Sequence, residues 1–345
     1  MPCAFARAKA PRDGGSVRGD RTLAHLLRPI AGALDEPAVT DLVVNEPQRV
    51  AVKHAGRWSG LDVPEFTVDR LDAASILIAQ RAGREFDEEH PYANATLPGG
   101  QRFQGCRPPA TKPGRIVWAI RKPPATARSI EDPDFDGLFE GTNTAPPRRH
   151  RAQEALIELH RKRMWKAFFA QARQTGMTIG VCGETGSGKT DLLRRLIQVS
   201  RPETRMVTIE TDDEFGELGP PNKASIFYDE KRIAADECVK VALRLAPDEI
   251  WHQEVRGPES YSFLRALASG HAGGGTSWHA EEGREFQALE LMLKEHPGGR
   301  AMPDNRLRQF VREYIDIVVH CERDGGRFRV SRVWFKATEE LEVLA

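Results

Sequence analysis

Near the middle of this sequence stands Gly183-Glu184-Thr185-Gly186-Ser187-Gly188-Lys189-Thr190, a complete phosphate-binding loop of the form Gly-x-x-x-x-Gly-Lys-Thr. The apolar run 177–182 before it predicts a buried strand, and a helix is expected to begin near Gly188. Glycines let successive backbone N–H groups face phosphate oxygens, and the N-terminal end of the helix attracts the same anion. A glycine-rich turn with a chance Lys-Thr is the alternative, but the strand-loop-helix context favours a site for a nucleoside triphosphate.

Within this loop, two side chains have predicted roles of their own. We expect Lys189 to contact the β- and γ-phosphates, and the hydroxyl of Thr190 to bind Mg²⁺. All eight residues of the loop are therefore candidate binding residues for ATP. Asp191 is an unusual neighbour, because it adds a negative charge one residue past the predicted magnesium ligand.

Composition excludes several classes of function. Fifty Lys and Arg against fifty Asp and Glu give zero formal net charge, so no global field favours nucleic acid or an anionic membrane. The cysteines form no Cys-x-x-Cys pair that would suggest zinc or a disulfide framework, which favours a reducing cytoplasm. They are Cys3, Cys106, Cys182, Cys238 and Cys321. No apolar stretch approaches the ~18 residues that a membrane span requires, so any membrane association is expected to be peripheral.

The pattern along the chain divides it into four segments. Residues 1–20, rich in Gly, Arg and Pro, are expected to be a disordered tail. Residues 21–122 combine short β-like runs with a helical pattern after Thr67, which predicts a small α+β domain. Residues 123–151 have the composition of a linker. In residues 152–345, apolar strands alternate with helices, which predicts an α/β domain with a mostly parallel sheet covered on both faces.

Two carboxylates follow predicted strands of this second domain. Glu210 ends the strand-like run 205–209, and Glu254 ends the run 249–254. An acid at the carboxyl end of a strand lies on the edge where open α/β sheets bind ligands, and a phosphate loop needs an acid to position Mg²⁺ or the attacking water. Either carboxylate taken alone could equally be a solvated loop residue.

A glycine-rich segment, 270–280, contains two histidines, His271 and His279. A lone histidine is more often structural than functional, and no Cys or acid stands at ligand spacing beside these two, so a metal site is not favoured. A polar donor to the γ-phosphate fits this segment better. Arg256, two residues after Glu254, is either a further site residue or an ordinary surface cation.

Several motifs stand in an order that is similar to one known family. In the second half of the chain they are the phosphate loop, Thr208-Ile209-Glu210, the stretch 247–257 with its Glu-x-Arg-Gly, Phe263-Leu264-Arg265-Ala266 and Thr276-Ser277-Trp278-His279-Ala280. In the first half they are Leu42-Val43-Val44-Asn45-Glu46-Pro47, Leu97-Pro98-Gly99-Gly100-Gln101-Arg102 and Ala119-Ile120-Arg121-Lys122-Pro123. From about residue 23 to about residue 335, the chain resembles the traffic ATPases of bacterial type IV secretion systems, within the secretion and pilus-motor ATPase superfamily.

This resemblance implies a fold and a set of roles. The fold is α/β, with a RecA-like P-loop ATPase domain joined to a smaller α+β PAS-like N-terminal domain, and six copies form a ring. By motif, Glu210 would be the catalytic acid that polarises water, and Glu254 the Walker B carboxylate that helps to hold Mg²⁺. His279 would lie near the γ-phosphate, with Arg256 supporting the site.

The resemblance also assigns a role to two arginines of the first domain. Arg102 and Arg121 would reach the phosphates as charge-stabilising residues. Surface arginines on strands are the alternative for both. The long linker is similar to that of the subgroup in which a domain is swapped around the ring, so these arginines could act within a subunit or on its neighbour.

Three features depart from the pattern of the family. Thr211 replaces the Asp that usually follows the Glu of the acidic motif, and Asp191 replaces a second Thr or a similar residue. The Walker B strand carries Trp251-His252-Gln253 where small or aliphatic residues are expected. Nucleotide binding is still expected, whereas the rate of hydrolysis is left open.

The expected function is ATP hydrolysis by a homo-hexamer that powers substrate transfer or pilus assembly. The resemblance implies a cytoplasmic protein, peripheral on the inner face of the inner membrane, whose partners are secretion-channel and coupling-ATPase proteins. An ATP-binding assembly switch with little hydrolysis is one alternative. A RecA-like nucleic-acid motor is another, which the zero net charge disfavours. The basic run Arg148-Arg149-His150-Arg151 is either a docking surface or a solvated part of the linker.

Overall fold

Two β-sheets, each with its own helices, make up this computed structural model. It describes residues 16–124, 129–131, 135–142, 151–229, 231–271 and 273–344. Most of the predicted tail and much of the predicted linker, with the basic run 148–150, therefore lie outside the described residues. Residues 16–20 of the predicted tail belong to a helix, and Asp20 in it contacts Arg81. No described helix is both long enough and apolar enough to span a bilayer.

The first sheet is antiparallel, with six strands in the order β3-β2-β1-β6-β5-β4. The strands are β1 (Val39–Glu46), β2 (Arg49–His54), β3 (Arg57–Asp62), β4 (Tyr92–Thr96), β5 (Arg102–Cys106) and β6 (Val117–Arg121). The helices are α1 (Ser16–Leu27), α2 (Ala31–Asp35) and α3 (Val68–Arg81), with a 3₁₀ turn at Arg28–Ile30. A buried cluster around Trp118, which packs edge-on against Phe66 and Phe103, joins the sheet to these helices.

Helix α3 begins where its sequence predicts. The side chain of Thr67 accepts a hydrogen bond from the N–H of Arg70 at 3.3 Å, which satisfies one of the free donors of the first turn. Along the helix, Leu71, Ala74 and Ile78 are buried at helical spacing. Ser75 lies on this buried face as well, and its hydroxyl accepts a hydrogen bond from the indole N–H of Trp118 at 2.7 Å.

The second sheet has seven strands in the order β13-β12-β7-β11-β10-β8-β9, and β13 alone pairs antiparallel. The strands are β7 (Ile179–Gly183), β8 (Met206–Glu210), β9 (Lys223–Phe227), β10 (Glu249–His252), β11 (Gly275–His279), β12 (Ile317–Asp324) and β13 (Arg327–Phe335). This architecture confirms the predicted fold class, a smaller α+β N-terminal domain and an α/β domain with a mostly parallel sheet. The sheet of the N-terminal domain is antiparallel.

Helices cover both faces of the second sheet. They are α4 (Arg151–Arg161), α5 (Trp165–Gln174), α6 (Lys189–Gln198), α7 (Ala235–Ala242), α8 (Glu259–Ala268), α9 (Glu285–Leu293), α10 (Pro297–Arg300), α11 (Asp304–Tyr314) and α12 (Lys336–Leu344), with a separate 3₁₀ turn at Asp136–Phe139. Successive strand residues point to opposite faces. Ile250 accordingly packs in a cluster with residues of α7, α8, α9 and α11, and Trp251 in one with residues of α4, α5, α6 and α12.

A buried arginine joins the two sheets. Arg205, directly before β8, donates hydrogen bonds to the side chains of Asn45 at 2.8 Å and Asn222 at 2.6 Å and to the carbonyl of Leu245 at 2.7 Å. Its main-chain N–H donates to Asp248 at 2.8 Å. Asn45 ends the apolar part of β1, so Arg205 holds the first sheet against the start of β8.

Candidate functional site

The phosphate loop joins the central strand β7 to helix α6. Gly183, Gly186 and Gly188 have φ values of +143°, +73° and +90°, which other residues rarely adopt. A Cβ built on Gly183 would lie 2.0 Å from the carbonyl oxygen of Cys321, so only glycine fits there. The buried hydroxyl of Ser187 has no hydrogen-bond partner among the described residues. A cradle of this kind, with a free donor, suits a phosphate group.

Lys189 is the first residue of α6, and its side chain points back into the phosphate loop. Its Nζ donates hydrogen bonds to the carbonyls of Gly183 at 3.1 Å and Glu184 at 2.9 Å. Only 7% of the residue is exposed, and this burial lowers the pKa of Lys189 from its usual value. Thr190 follows it, half-buried in the first turn of the helix.

Three predicted site residues follow one another in a row that begins at this lysine. The Nδ1 atom of His279 lies 3.3 Å from Nζ of Lys189, and its Nε2 lies 2.8 Å from Oε1 of Glu254. The other carboxylate oxygen of Glu254 accepts from Nε of Arg256 at 2.8 Å. A lysine ammonium can only donate, so Nδ1 of His279 is the acceptor in its contact with Lys189. Lys189, His279, Glu254 and Arg256 thus form one continuous polar chain.

Strand order explains why histidine stands in the middle of this chain. Strand β11, which ends at His279, lies between β7 and β10, and His279 is the Cα partner of Gly183. Glu254 therefore follows a strand that is not the direct neighbour of the phosphate-loop strand. The imidazole of His279 bridges the intervening position.

The structure does not bring Glu210 into contact with the polar chain. Strand β8 lies three positions from β7, about 14 Å at the usual strand spacing. Glu210 is fully buried; it accepts from the Thr208 hydroxyl at 2.6 Å and from the N–H of Phe215 at 2.9 Å. Burial raises the pKa of Glu210 above its usual value. Its catalytic role stays a prediction.

Thr211 and Asp191, two of the departures from the pattern of the family, contact other side chains of the site region. The backbone N–H and the hydroxyl of Thr211 donate to Oε1 of Gln253, at 2.7 and 3.1 Å. These two residues thus tie the ends of β8 and β10 together. Asp191 pairs with Arg195 one turn along α6 at 2.8 Å, which offsets part of its charge near the phosphate loop.

The remaining two polar residues of the Walker B strand point into the core. The indole N–H of Trp251 donates to Glu249 at 3.3 Å, and the guanidinium of Arg173 lies 4.7 Å from the centre of its ring. His252 is fully buried next to the rings of Tyr228 and Phe263. The second predicted histidine, His271, contacts the hydroxyl of Ser269 at 3.2 Å and is not part of the polar chain.

Arg102 and Arg121 lie next to each other in the first sheet. They are Cα partners across β5 and β6, and both line a cavity of about 550 Å³. Arg84 and Arg244 line it too, and neither was predicted, since nothing in their local sequence marks them. This cavity shares no lining residue with the pocket beside the phosphate loop, which includes Glu184, Thr185 and His279. Within one chain, the arginines therefore do not complete the polar chain.

Comparisons with known proteins agree with this architecture. Residues 154–290 match the family model described as Type II/IV secretion system protein. The chain is 31% identical over 334 residues to the type IV secretion system protein VirB11 of Brucella suis, covering 94% of this chain and 92% of that protein. It is 34% identical over 318 residues to the type IV secretion system protein PtlH of Bordetella pertussis, covering 88% and 92%.

A solved structure agrees over almost the whole length. It is the crystal structure of the VirB11 ATPase from the Brucella suis type IV secretion system in complex with sulphate. The TM-score is 0.89 at 31% identity, covering 96% of this chain and all of that one. The agreement includes both the antiparallel and the mostly parallel sheet, so the chain belongs to the VirB11-like family of type II/IV secretion ATPases.

Proposed function

We propose that this chain hydrolyses ATP at the phosphate loop. The observation that carries the proposal is the polar chain from Lys189 through His279 and Glu254 to Arg256. It sets the buried Lys189 beside the phosphate cradle, and the histidine and the carboxylate next to that lysine. Residues 183–190 would hold the nucleotide, with Lys189 on the β- and γ-phosphates.

The same arrangement suits a magnesium ion. Thr190 and Glu254 would hold Mg²⁺, and the ion would supply positive charge to the β- and γ-phosphate oxygens. Glu254 is mostly buried, and its two oxygens lie against His279 and Arg256, so these neighbours fix its orientation. His279 would be a donor toward the γ-phosphate.

Glu210 is our candidate for the residue that polarises the attacking water. Burial raises the pKa of Glu210, which improves it as a proton acceptor. In the present arrangement one of its oxygens accepts a hydrogen bond from Thr208 in β8 and the other from Phe215 in the loop after β8. Catalysis by Glu210 therefore requires this loop to rearrange.

We further propose a ring of six copies, with nucleotide between domains. The arginine-lined cavity carries Arg102 and Arg121 but lies apart from the phosphate loop of the same chain. In a ring, these arginines would act on the nucleotide of an adjacent copy. The units that move would be residues 21–122 and 152–345, joined by the linker 123–151.

The biological role follows from the relatives. The named proteins are components of type IV secretion systems, and we propose the same for this chain. Its hydrolysis cycle would power substrate transfer or pilus assembly from the cytoplasmic face of the inner membrane. Secretion-channel and coupling-ATPase proteins would be its partners, without direct contact to nucleic acid.

The test is steady-state Mg²⁺-dependent ATP hydrolysis, with the mass of the particle measured in the same buffer. Lys189→Ala should abolish nucleotide binding, whereas Glu210→Gln should bind nucleotide and lose turnover. The active particle should have about six times the mass of one chain, as a closed ring requires. Equal loss of binding in both variants would refute the division of roles.

A second candidate function is an ATP-binding assembly switch with little hydrolysis. The observation in its favour is the distance of Glu210 from the polar chain, together with Asp191 beside the magnesium ligand. Tight binding without turnover in the unmodified protein would select this function. Stimulation of turnover by DNA would instead favour a nucleic-acid motor.

A further inference from the structure

A β-hairpin extends past the phosphate-loop strand on the side opposite to the polar chain. Strand β12 pairs with β7 as far as Cys321, the Cα partner of Gly183. The hairpin of β12 and β13 then continues for three more residues to Asp324 before it turns back. Strand β12 runs parallel to β7, so its carboxyl end lies at the same edge of the sheet as the phosphate loop. The extension of the hairpin therefore lies beside the loop.

An aromatic ring of this hairpin lies against the loop itself. A Cβ built on Gly188 would be 3.0 Å from Cγ of Phe328, so the ring contacts the backbone just before Lys189. Yet 60% of Phe328 is exposed. The guanidinium of Arg323, its partner across the hairpin, lies 5.8 Å from the centre of the ring. The ring thus presents an open surface at the entrance to helix α6.

The direction of a bound nucleotide follows from the strand order. The residues that would meet the terminal phosphate, His279 and Glu254, belong to β11 and to the loop after β10, on one side of β7. The hairpin belongs to β12 and β13, on the other side. A nucleotide that places its γ-phosphate at His279 and its β-phosphate in the loop therefore directs its base toward the hairpin.

We propose that Phe328 is the platform on which the base of the bound nucleotide stacks. The inference rests on the proposed nucleotide binding at the phosphate loop and adds the residue that recognises the base. An aromatic ring offers its face to any base, so it contributes affinity for the base itself rather than for the phosphates. Arg323 lies over the same ring and adds a positive charge near the base and ribose.

The experiment compares two probes, of which ADP carries a base and a ribose and inorganic diphosphate carries neither. Calorimetry measures the dissociation constants of ADP and of inorganic diphosphate for the full chain and for Phe328→Ala. We expect Phe328→Ala to weaken ADP binding about ten-fold, as loss of one stacking contact does. Binding of diphosphate should not change. Phe328→Tyr keeps the ring and should bind ADP as the unmodified chain does.

Val330→Ala is the matched control, since Val330 lies two residues along the same strand and is 43% exposed. It should leave both constants unchanged. If Phe328→Ala does not fold, Phe328→Leu keeps an apolar side chain without the ring and serves the same comparison.

Three results would overturn the proposal in different ways. Equal weakening of ADP and diphosphate would mean that Phe328 only supports the shape of the loop. Unchanged ADP binding would mean that the ring does not touch the base. If the unmodified chain binds neither probe, the proposed nucleotide binding itself fails.

Discussion

His252 is a histidine enclosed by the protein two residues before the Walker B glutamate. Its ring lies 5.7 Å from that of Tyr228 and 6.1 Å from that of Phe263, measured between centroids. Burial lowers the pKa of His252 to about 3, from 6.5 for an exposed histidine. The folded protein therefore keeps this imidazole neutral throughout the physiological range.

This burial predicts how stability depends on pH. Between pH 6.5 and 3 the unfolded chain binds a proton at His252 that the folded chain does not, so stability falls as pH falls through this window. From pH 7.5 to pH 5 the residue should cost about 2 kcal/mol of the free energy of unfolding. Urea denaturation at both pH values measures it, with His252→Gln to remove the titrating group.

The difference in unfolding free energy between His252→Gln and the unmodified chain should therefore change by about 2 kcal/mol between the two pH values. His271→Gln is the matched control, because His271 is only half-buried, beside Ser269. Parallel pH dependence of His252→Gln and the unmodified chain would contradict the prediction.

The sequence identified residues whose chemistry is local to a motif, but not the contacts that join those residues across the fold. Lys189, His279, Glu254 and Arg256 were predicted, because each stands in a motif whose chemistry is local. Their union in one polar chain was not predicted, since it depends on contacts between residues up to 90 positions apart. The same holds for Gln253, whose partner Thr211 is 42 residues away.

At the scale of elements, strand order is what the sequence left open. Strands β7, β8 and β10 were predicted within one or two residues from their apolar runs. That β11 lies between β7 and β10 is a property of long-range pairing, which no local pattern encodes. Strand β13 was missed because it is largely exposed and carries arginines, a composition that does not predict a strand.

One buried ion pair joins several of these elements. Arg173, near the end of α5, and Glu249, at the start of β10, are fully buried, with 2.7 Å between nitrogen and oxygen. Arg173 also donates to the carbonyl of Leu196 in α6 at 3.2 Å and to the hydroxyl of Ser200 at 2.8 Å. Removing the cation takes the nearest charged partner from the buried carboxylate of Glu249 and a donor from the carbonyl of Leu196.

Arg173→Ala should therefore lower the free energy of unfolding by about 3 kcal/mol, near the lower end for a broken buried pair. The lower end applies because Arg201 still lies 3.6 Å from Glu249. Urea denaturation measures the loss. Arg195→Ala, which breaks the exposed pair with Asp191 on α6, is the control and should cost less than about 1 kcal/mol. A similar loss of unfolding free energy in both variants would refute the prediction that the buried pair contributes more than the exposed one.

At the scale of the whole molecule, the two sheets are held in a fixed relation by contacts between them. Asp248 accepts from Lys53 and from the indole N–H of Trp58, both at 3.2 Å, and Arg205 joins Asn45 to the second sheet. These contacts place the arginine-lined cavity between the first sheet and the residues after α7. The pocket beside the phosphate loop is lined by other residues, so in this arrangement Arg102 and Arg121 do not line it.

A mixing experiment tests whether these arginines act between copies. The double variant Arg102→Ala/Arg121→Ala keeps its phosphate loop, and Lys189→Ala keeps its arginines, so each alone should form rings without turnover. Where the two are neighbours, one contributes the loop and the other the arginines. Equal mixing in a closed ring makes about a quarter of the interfaces complete, so about a quarter of the unmodified turnover should return. If the arginines act within a chain, the mixture has no complete site and stays inactive at every ratio, which would place them on their own subunit's nucleotide.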